Sequence, residues 1–446
     1  MPSSLDLLQD LIAKAKRKGA ESADAILVDA SSVSVDVRKG RVETTERSES
    51  GDLDLRVFVG KRQAMVSTSD RSPKALDELV ERAVAMAMAA PEDPFCGLAS
   101  PEQISQTWPE LDLADDAPEP SIEKLIETAH AMEEAALAVK GVTNSEGAGA
   151  GYGRSRSWLA ASNGFSGSNE GTGTTLSVSV IAGTGTGMER DYEHESRIYA
   201  SDLPSPIDIG RKAGERSVRR LGARKMPTCQ APVVFDPRIG SSLLRTLSSA
   251  ISGALVARGT TFLKDSLAAA IFPESITIID DPFMPRGLRS CPFDAEGIAP
   301  MRREIVERGV LKTWLLDLRS ARQLGIAQST GHAARAPGGT PSPSPSNLYL
   351  EAGKLTPQEL MRDIKQGLYV TDLMGSGISI VTGDYSCAAA GFWIENGEIA
   401  FPVNEMTIAS NLRDMFANLF AANDLEFTRG VNVPTLRIEN MTVAGV

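Results

Sequence analysis

The sequence predicts an α+β protein with an N-terminal helix-plus-antiparallel-meander module, a middle α+β segment and a C-terminal domain dominated by antiparallel β-strands. Two observations carry this expectation. Apolar residues alternate at period two through many stretches, and hairpin turn signals such as Glu307-Arg308-Gly309 and Asn396-Gly397 separate them. Regular helix-strand alternation, the mark of a doubly wound parallel sheet, does not prevail.

At 446 residues the chain exceeds one ordinary core, and two or three domains are expected. The boundaries read as an N-terminal α+β domain at 1–96, a linker at 97–120, a middle α+β domain at 121–228 and a mainly β domain at 229–446. Within the first, Leu5, Leu8, Leu11, Ile12 and Ala15 mark an amphipathic helix over Ser3–Lys18. The pattern then turns to period two, giving strands at 25–28, 33–37, 53–59 and 64–67, with turns at Lys39-Gly40 and Gly60-Lys61. Helical spacing returns over 72–90, and Asp93-Pro94 ends it. The acidic, proline-rich run from Pro101 to Pro120 reads as the linker. Helices at 121–140 and 206–221 flank Gly- and Ser-dense strands between Val142 and Ile181. The third unit opens with the strand Ala231–Phe235, and Pro341–Ser346 reads as a long surface loop.

Composition removes several function classes. A net charge of −12 repels a phosphate backbone, and the one dense basic stretch, Arg211–Lys225, lies on a helical pattern without interleaved aromatics, so a solvated helix face is expected and direct nucleic-acid binding is not. No stretch reaches the roughly 18 apolar residues of a spanning helix. The N-terminal helix is amphipathic, unlike a signal peptide, and the four cysteines stand singly, as reduced thiols do. Together these predict a cytoplasmic protein that is not embedded in a membrane.

The glycine runs Gly147–Gly153 and Gly183–Gly187 alternate at period two and lack the G-x-G-x-x-G turn into a helix, so they read as strand and turn glycines and not as a nucleotide site. Only three histidines occur, His130, His194 and His332, none at ligand spacing from another. Glu193-His194-Glu195 has a metal-like composition, but its charged neighbours suit a strand edge or turn. The loop from Ser329 to Gly339 gathers small residues around His332 and Arg335, with Gly338 and Gly339 at its end. Such a loop suits an extended peptide or a carboxylate, which makes these four the candidate substrate-binding residues. No nucleophile elbow and no nucleophile-base pair emerges, so no catalytic residue is assigned.

The C-terminal third carries a distinctive stretch. Val381-Thr382-Gly383-Asp384-Tyr385-Ser386, then Ala389 through Ile399, then Pro402-Val403-Asn404-Glu405-Met406-Thr407-Ile408-Ala409-Ser410-Asn411-Leu412 resembles the signature of the PmbA/TldE proteins of the TldD/PmbA family. Lys39-Gly40-Arg41-Val42-Glu43 and Gly259 through Leu267 extend the resemblance over nearly the whole chain. The resemblance implies a metallopeptidase family of two sister subunits, linked to degradation of small unfolded proteins and to modulation of DNA gyrase. The TldD-like sister holds zinc on a His-Glu-x-x-x-His helix.

Here the corresponding helix follows Val233–Asp236, and Arg245, Thr246 and Ala250 stand at the three motif positions. Arginine has no lone pair for zinc, and neither threonine nor alanine replaces the base or the second ligand. No His-Glu-x-x-x-His occurs anywhere in the sequence. The expectation is a metal-free partner subunit without a cofactor of its own, with zinc in a TldD-like subunit and unfolded peptide as ligand; the sequence leaves open whether the isolated chain forms a homodimer. The competing readings are a self-sufficient peptidase built on His194 with Glu193 and Glu195, and a non-enzymatic regulator of a protein such as gyrase.

Overall fold

A computed structural model describes residues 3–445, apart from the side chain of Ser376. Helix α1 (Ser4–Arg17) starts at a reciprocal cap: the Ser3 hydroxyl accepts the Asp6 N–H at 3.2 Å, and the Asp6 carboxylate accepts the Ser3 N–H at 2.9 Å. Its buried stripe of Leu8, Leu11, Ile12 and Ala15 is the one the periodicity predicts. Strand β1 (Ser22–Arg38) then runs through both stretches read as separate strands. No glycine or proline interrupts Asp29–Ser32, and partners on both sides hydrogen-bond it along its length, so the backbone has no reason to turn. The reversal waits for Lys39 and Gly40, both at positive φ (52° and 69°), which lead into β2 (Arg41–Val59) and β3 (Arg62–Thr68). Helix α2 (Pro73–Ala89) ends sooner than Asp93-Pro94 would dictate, because Pro91 forces Ala90 into extended backbone.

The middle segment adds α3 (Ile122–Leu137), β4 (Val142–Ala161), β5 (Ser166–Ala182), β6 (Glu189–Arg197) and α4 (Pro206–Arg219). Strand β4 pairs with β1, so the first and middle segments share one antiparallel sheet of order β3-β2-β1-β4-β5-β6. One face of that sheet is covered by helices throughout: α1 and α2 lie over Ala25, Leu27, Leu53 and Leu55, while α3 and α4 lie over Val33, Val35, Ala148, Ala150 and Val178. The segment 97–120 carries neither helix nor strand, yet it is strapped down. The Thr172 N–H donates to the Leu113 carbonyl at 2.9 Å, the Arg286 N–H to the Leu111 carbonyl at 3.0 Å, and the Ser105 N–H to the Gly297 carbonyl at 2.8 Å.

The C-terminal unit opens with β7 (Cys229–Phe235) and α5 (Pro237–Ala250). It continues through β8 (Ile278–Asp281), β9 (Arg303–Glu307), β10 (Val310–Leu311), β11 (Ala333–Ala334), β12 (Ser342–Pro343) and β13 (Asn347–Leu350). The long hairpins β14 (Gln366–Ile378), β15 (Asp384–Glu395) and β16 (Glu398–Asn411) follow, then β17 (Leu419–Ala421), β18 (Val431–Asn432) and β19 (Leu436–Ala444). A six-stranded sheet, β16-β15-β14-β7-β19-β17, and a five-stranded one, β10-β9-β8-β13-β18, enclose the largest core, with α5 packed between them through Leu243, Leu244 and Leu247. All pairings are antiparallel except β7–β14 and β13–β18, as the predicted fold class requires. The Pro-Ser run is not an open loop, since Ser342 and Pro343 pair with Ala334 and Ala333.

No helix of the described residues is long and apolar enough to cross a membrane. The basic stretch is not simply a solvated face either. Lys212 and Arg216 both bind the buried Glu193, and Arg220 reaches Asp191 and Asp372, because β6 sets a row of carboxylates beneath α4.

Candidate functional site

The other face of the large sheet is unusual in what it lacks. On β4, Ala148, Ala150 and Tyr152 are buried under the helices, which places Gly149, Gly151 and Gly153 on the opposite side. Register sets Gly153 against Gly173, Gly151 against Thr175 and Gly149 against Ser177. The period-two glycines thus clear side chains from one face. A methyl group placed on Gly173 meets nothing within 4 Å, whereas one on Gly149 would press on the Asp36 carboxylate at 2.8 Å. Around Gly147, Gly149, Ser177 and Ser179 this floor opens into a concavity of about 590 Å³ that reaches Tyr192 and His194 of β6. At its far end, Ser157 and Asn169 face the C-terminal unit across a second cavity of about 350 Å³, lined also by Arg289, Phe293, His332 and Ser344. An apolar seam of Ile26, Leu159, Phe165, Phe293 and Ile298 fastens the two units beside it.

The predicted loop residues lie at that junction, but turned inward. His332 is buried, its Nδ1 2.7 Å from the Thr330 hydroxyl and its Nε2 3.1 Å from the Asp280 carboxylate. The Arg335 side chain is 0% exposed and donates to Asp24 of β1 at 2.7 Å, with Asp54 of β2 at 3.8 Å. The Gly338 N–H donates to Asp54 at 3.0 Å, and the Gly339 N–H closes a turn on the Ala336 carbonyl at 2.9 Å. Arg335 is therefore not a free cation awaiting a ligand. Two buried acids on the sheet face hold it, a pairing that only the tertiary fold creates.

Strand alternation dismantles the grouping of His194 with Glu193 and Glu195. Glu193 and Glu195 are buried toward α4 and the Arg197 side chain, while His194 projects from the opposite face. Burial first, and then the Arg429 charge, lower the His194 pKa, which favours neutral imidazole.

On α5 each of the three residues expected at the motif positions is already engaged. Arg245 donates to the Ser241 hydroxyl at 2.7 Å, and the Thr246 hydroxyl donates to the Ser242 carbonyl at 2.9 Å. Ala250 is fully buried in the core. Among the described residues no group of three or more His, Cys, Asp or Glu side chains is placed to hold a metal ion. What surrounds Arg245 is positive charge. Although the residue as a whole is exposed, partial desolvation of its guanidinium, then Arg429 and Arg289, lower its pKa. Arg289 and Arg429 were not legible as site residues in the sequence, because they stand 140 positions apart and share no motif.

The comparisons agree with this architecture. Family models described as PmbA/TldA metallopeptidase domain 1, central domain and C-terminal domain match residues 23–87, 115–221 and 228–445. The chain is 38% identical over 436 residues to "Metalloprotease PmbA" of Escherichia coli O157:H7, covering 97% of this chain and 94% of that one. It is 36% identical over 430 residues to the "Metalloprotease PmbA homolog" of Haemophilus influenzae, covering 96% and 93%. A crystal structure from Bacteroides thetaiotaomicron, of a protein named for modulation of DNA gyrase, superposes with a TM-score of 0.91 at 28% identity, over 99% of this chain and 98% of that one. TldE from Thermococcus kodakarensis shares the fold, with a TM-score of 0.85 at 21% identity over 98% and 100%. With all three domains matched in order, and a PmbA relative matched at 38% identity over 97% of the chain, the chain belongs to the PmbA/TldD metallopeptidase family as a PmbA/TldE-type member.

Proposed function

We propose that this chain is a metal-free partner subunit of a cytoplasmic two-subunit peptidase, binding extended peptide that a zinc-bearing, TldD-like chain cleaves. The observation that supports the reading is α5, which packs between the two C-terminal sheets and carries Arg245, Thr246 and Ala250 where the resemblance expects the ligand and base positions. Two features favour an extended peptide as ligand. The glycine-serine floor leaves room for a backbone to lie against the sheet. The outer half of β2, from Arg41 to Ser50, is exposed and among the described residues pairs only with β1, since β3 reaches only Leu53–Val59, so a strand edge is open there. The separation of His194 from Glu193 and Glu195 weighs against a self-sufficient peptidase.

The test is hydrolysis of an unfolded peptide by this chain, by a TldD-like chain and by their mixture, each with and without a chelator. Chelator-sensitive turnover is expected from the mixture and absent from this chain alone. The purified chain should also hold less than stoichiometric zinc by elemental analysis. Turnover by this chain alone at the rate of the mixture would overturn the proposal.

A further inference from the structure

We infer that Arg245, Arg289 and Arg429 form an oxyanion site that takes the terminal carboxylate of a bound peptide. Three elements converge there. Arg245 projects from α5, which packs against β18; Arg429 and then Gly430 lead into β18; and the aliphatic stem of Arg289 lies on Gly430, where a methyl group would come within 2.3 Å of Arg289 Cδ. Gly430 is thus the residue that lets two arginines sit side by side.

None of the three makes an ion pair among the described residues. The Arg289 guanidinium donates to the Ser344 hydroxyl at 2.8 Å and that of Arg245 to Ser241 at 2.7 Å, both neutral partners. The charged and titratable groups that act on Arg245 are Arg429, Arg289 and Tyr192, and no carboxylate is among them. The chain holds 58 acids against 46 Lys and Arg, and elsewhere Arg56, Arg216, Arg220, Arg238 and Arg335 all find carboxylates. Three guanidinium groups, none in ion-pair contact with a carboxylate among the described residues although Arg429 lines a cavity that also holds Glu193, Glu195, Asp424 and Glu426, repel each other, a cost that an anion seated among them would reverse. Guanidinium forks match a carboxylate in two-pronged hydrogen bonds.

The position explains which anion. Arg429 acts on His194 beside the open floor, and its neighbour Arg289 lines the cavity between that floor and the C-terminal unit. A peptide extended over that floor carries one carboxylate that no change of sequence removes, its terminus. Such a contact fixes register without reading side chains. This assignment rests on the peptide-binding reading.

The experiment measures binding of a fluorescent decapeptide, with a free or an amidated C-terminus, to the full chain alone and mixed with a TldD-like chain. Charge-assisted hydrogen bonds of this kind correspond to roughly tenfold or more in affinity, so the wild type should prefer the free acid by at least about that factor. Arg245→Gln and Arg429→Gln should each bring the acid-to-amide ratio toward one while leaving the affinity for the amide unchanged. An equal affinity of wild type for both peptides, or a ratio that the substitutions leave intact, overturns the assignment. Thermal shift with sodium acetate and with inorganic phosphate separates the anion site from the peptide reading. Acetate stabilisation that the double variant loses, without binding of either peptide, supports the site and sinks the peptide reading. Stabilisation by phosphate alone overturns the carboxylate assignment.

Discussion

Replacing Arg335 by alanine should loosen the junction between the large sheet and the C-terminal unit. Asp24 accepts hydrogen bonds from Arg335 at 2.7 Å and from Arg56 Nε at 2.8 Å, and these side chains are 4%, 0% and 6% exposed for Asp24, Arg335 and Arg56. With Asp54 the cluster holds two carboxylates and two guanidiniums and is neutral. Arg335→Ala leaves it with one surplus buried negative charge. Breaking a buried pair costs about 3–5 kcal/mol, and because Arg56 still holds Asp24 the lower end, about 3 kcal/mol, is expected. Urea unfolding at pH 7 measures it, read on the first transition because a chain with several cores need not unfold in one step. Adding Asp54→Asn removes the surplus charge and should recover about 1 kcal/mol.

The pH dependence supplies an independent sign. Burial pushes the Asp24 carboxyl up, but Arg56 and Arg335 outweigh it and hold the pKa below the usual carboxylate value. A depressed folded pKa contributes stability that is present above the unfolded value of about 3.9 and is lost as pH falls through the folded pKa. Losing Arg335 removes part of that contribution, so the gap between wild type and variant should close as the pH falls below about 4. A loss at pH 7 under about 1 kcal/mol, or a gap that does not vary with pH, refutes the claim that this pairing fastens the two units.

Two further outcomes follow from the same junction. Burial, and then for Glu296 the charge of Asp294, push the pKa values of Asp294 and Glu296 up to about 6 and about 8. Raised folded pKa values mean that the folded state keeps protons the unfolded chain has released. Stability should therefore fall as the pH rises from the ordinary carboxylate range toward 8. Glu296→Gln keeps an acceptor for the Leu318 N–H, now 2.8 Å from the carboxylate, and should flatten that slope in thermal melts from pH 5 to 8. Gly173→Leu should leave the folding free energy within about 0.5 kcal/mol of wild type, since the site is open, yet weaken binding of a fluorescent peptide by about tenfold. Unchanged peptide affinity would show that the floor is not a binding surface.

The fold was legible in the sequence wherever one residue's neighbours decide its state. Lys39-Gly40 and Asn396-Gly397 turn where they should because each pair takes positive φ, and α1 buries the stripe its spacing marks. What could not be read depends on which surfaces meet. The run from Asp29 to Ser32 looks like a break in polarity, and only pairing on both sides makes it strand. Arg335 looks like a ligand-seeking cation in a small-residue loop until Asp24 and Asp54, some 300 residues earlier, appear beside it. The glycine alternation was legible as strand, but its consequence, a cleared sheet face, needs the register of β4 on β5. The missing zinc motif needed no structure, since it is a statement about the residues alone.

Placing His, Glu and His at positions 245, 246 and 250 should not create a metal site, and the reason lies in what surrounds α5. Ala250 is 0% exposed in the core, so Ala250→His forces an imidazole into filled space, at a cost of about 1–3 kcal/mol. A dication at Arg245→His and Thr246→Glu would stand next to Arg289 and Arg429, which now act on Arg245 and would act on the metal with the same sign. Zinc also needs its imidazoles oriented by further hydrogen bonds, and the Ser241 hydroxyl and the Ser242 carbonyl now accept bonds from the present side chains. The triple variant should therefore melt below wild type and take up no more zinc than wild type at one equivalent. Tight stoichiometric zinc with an unchanged midpoint would mean that the helix face remains a metal site in all but three residues, and that its surroundings were never rebuilt around positive charge.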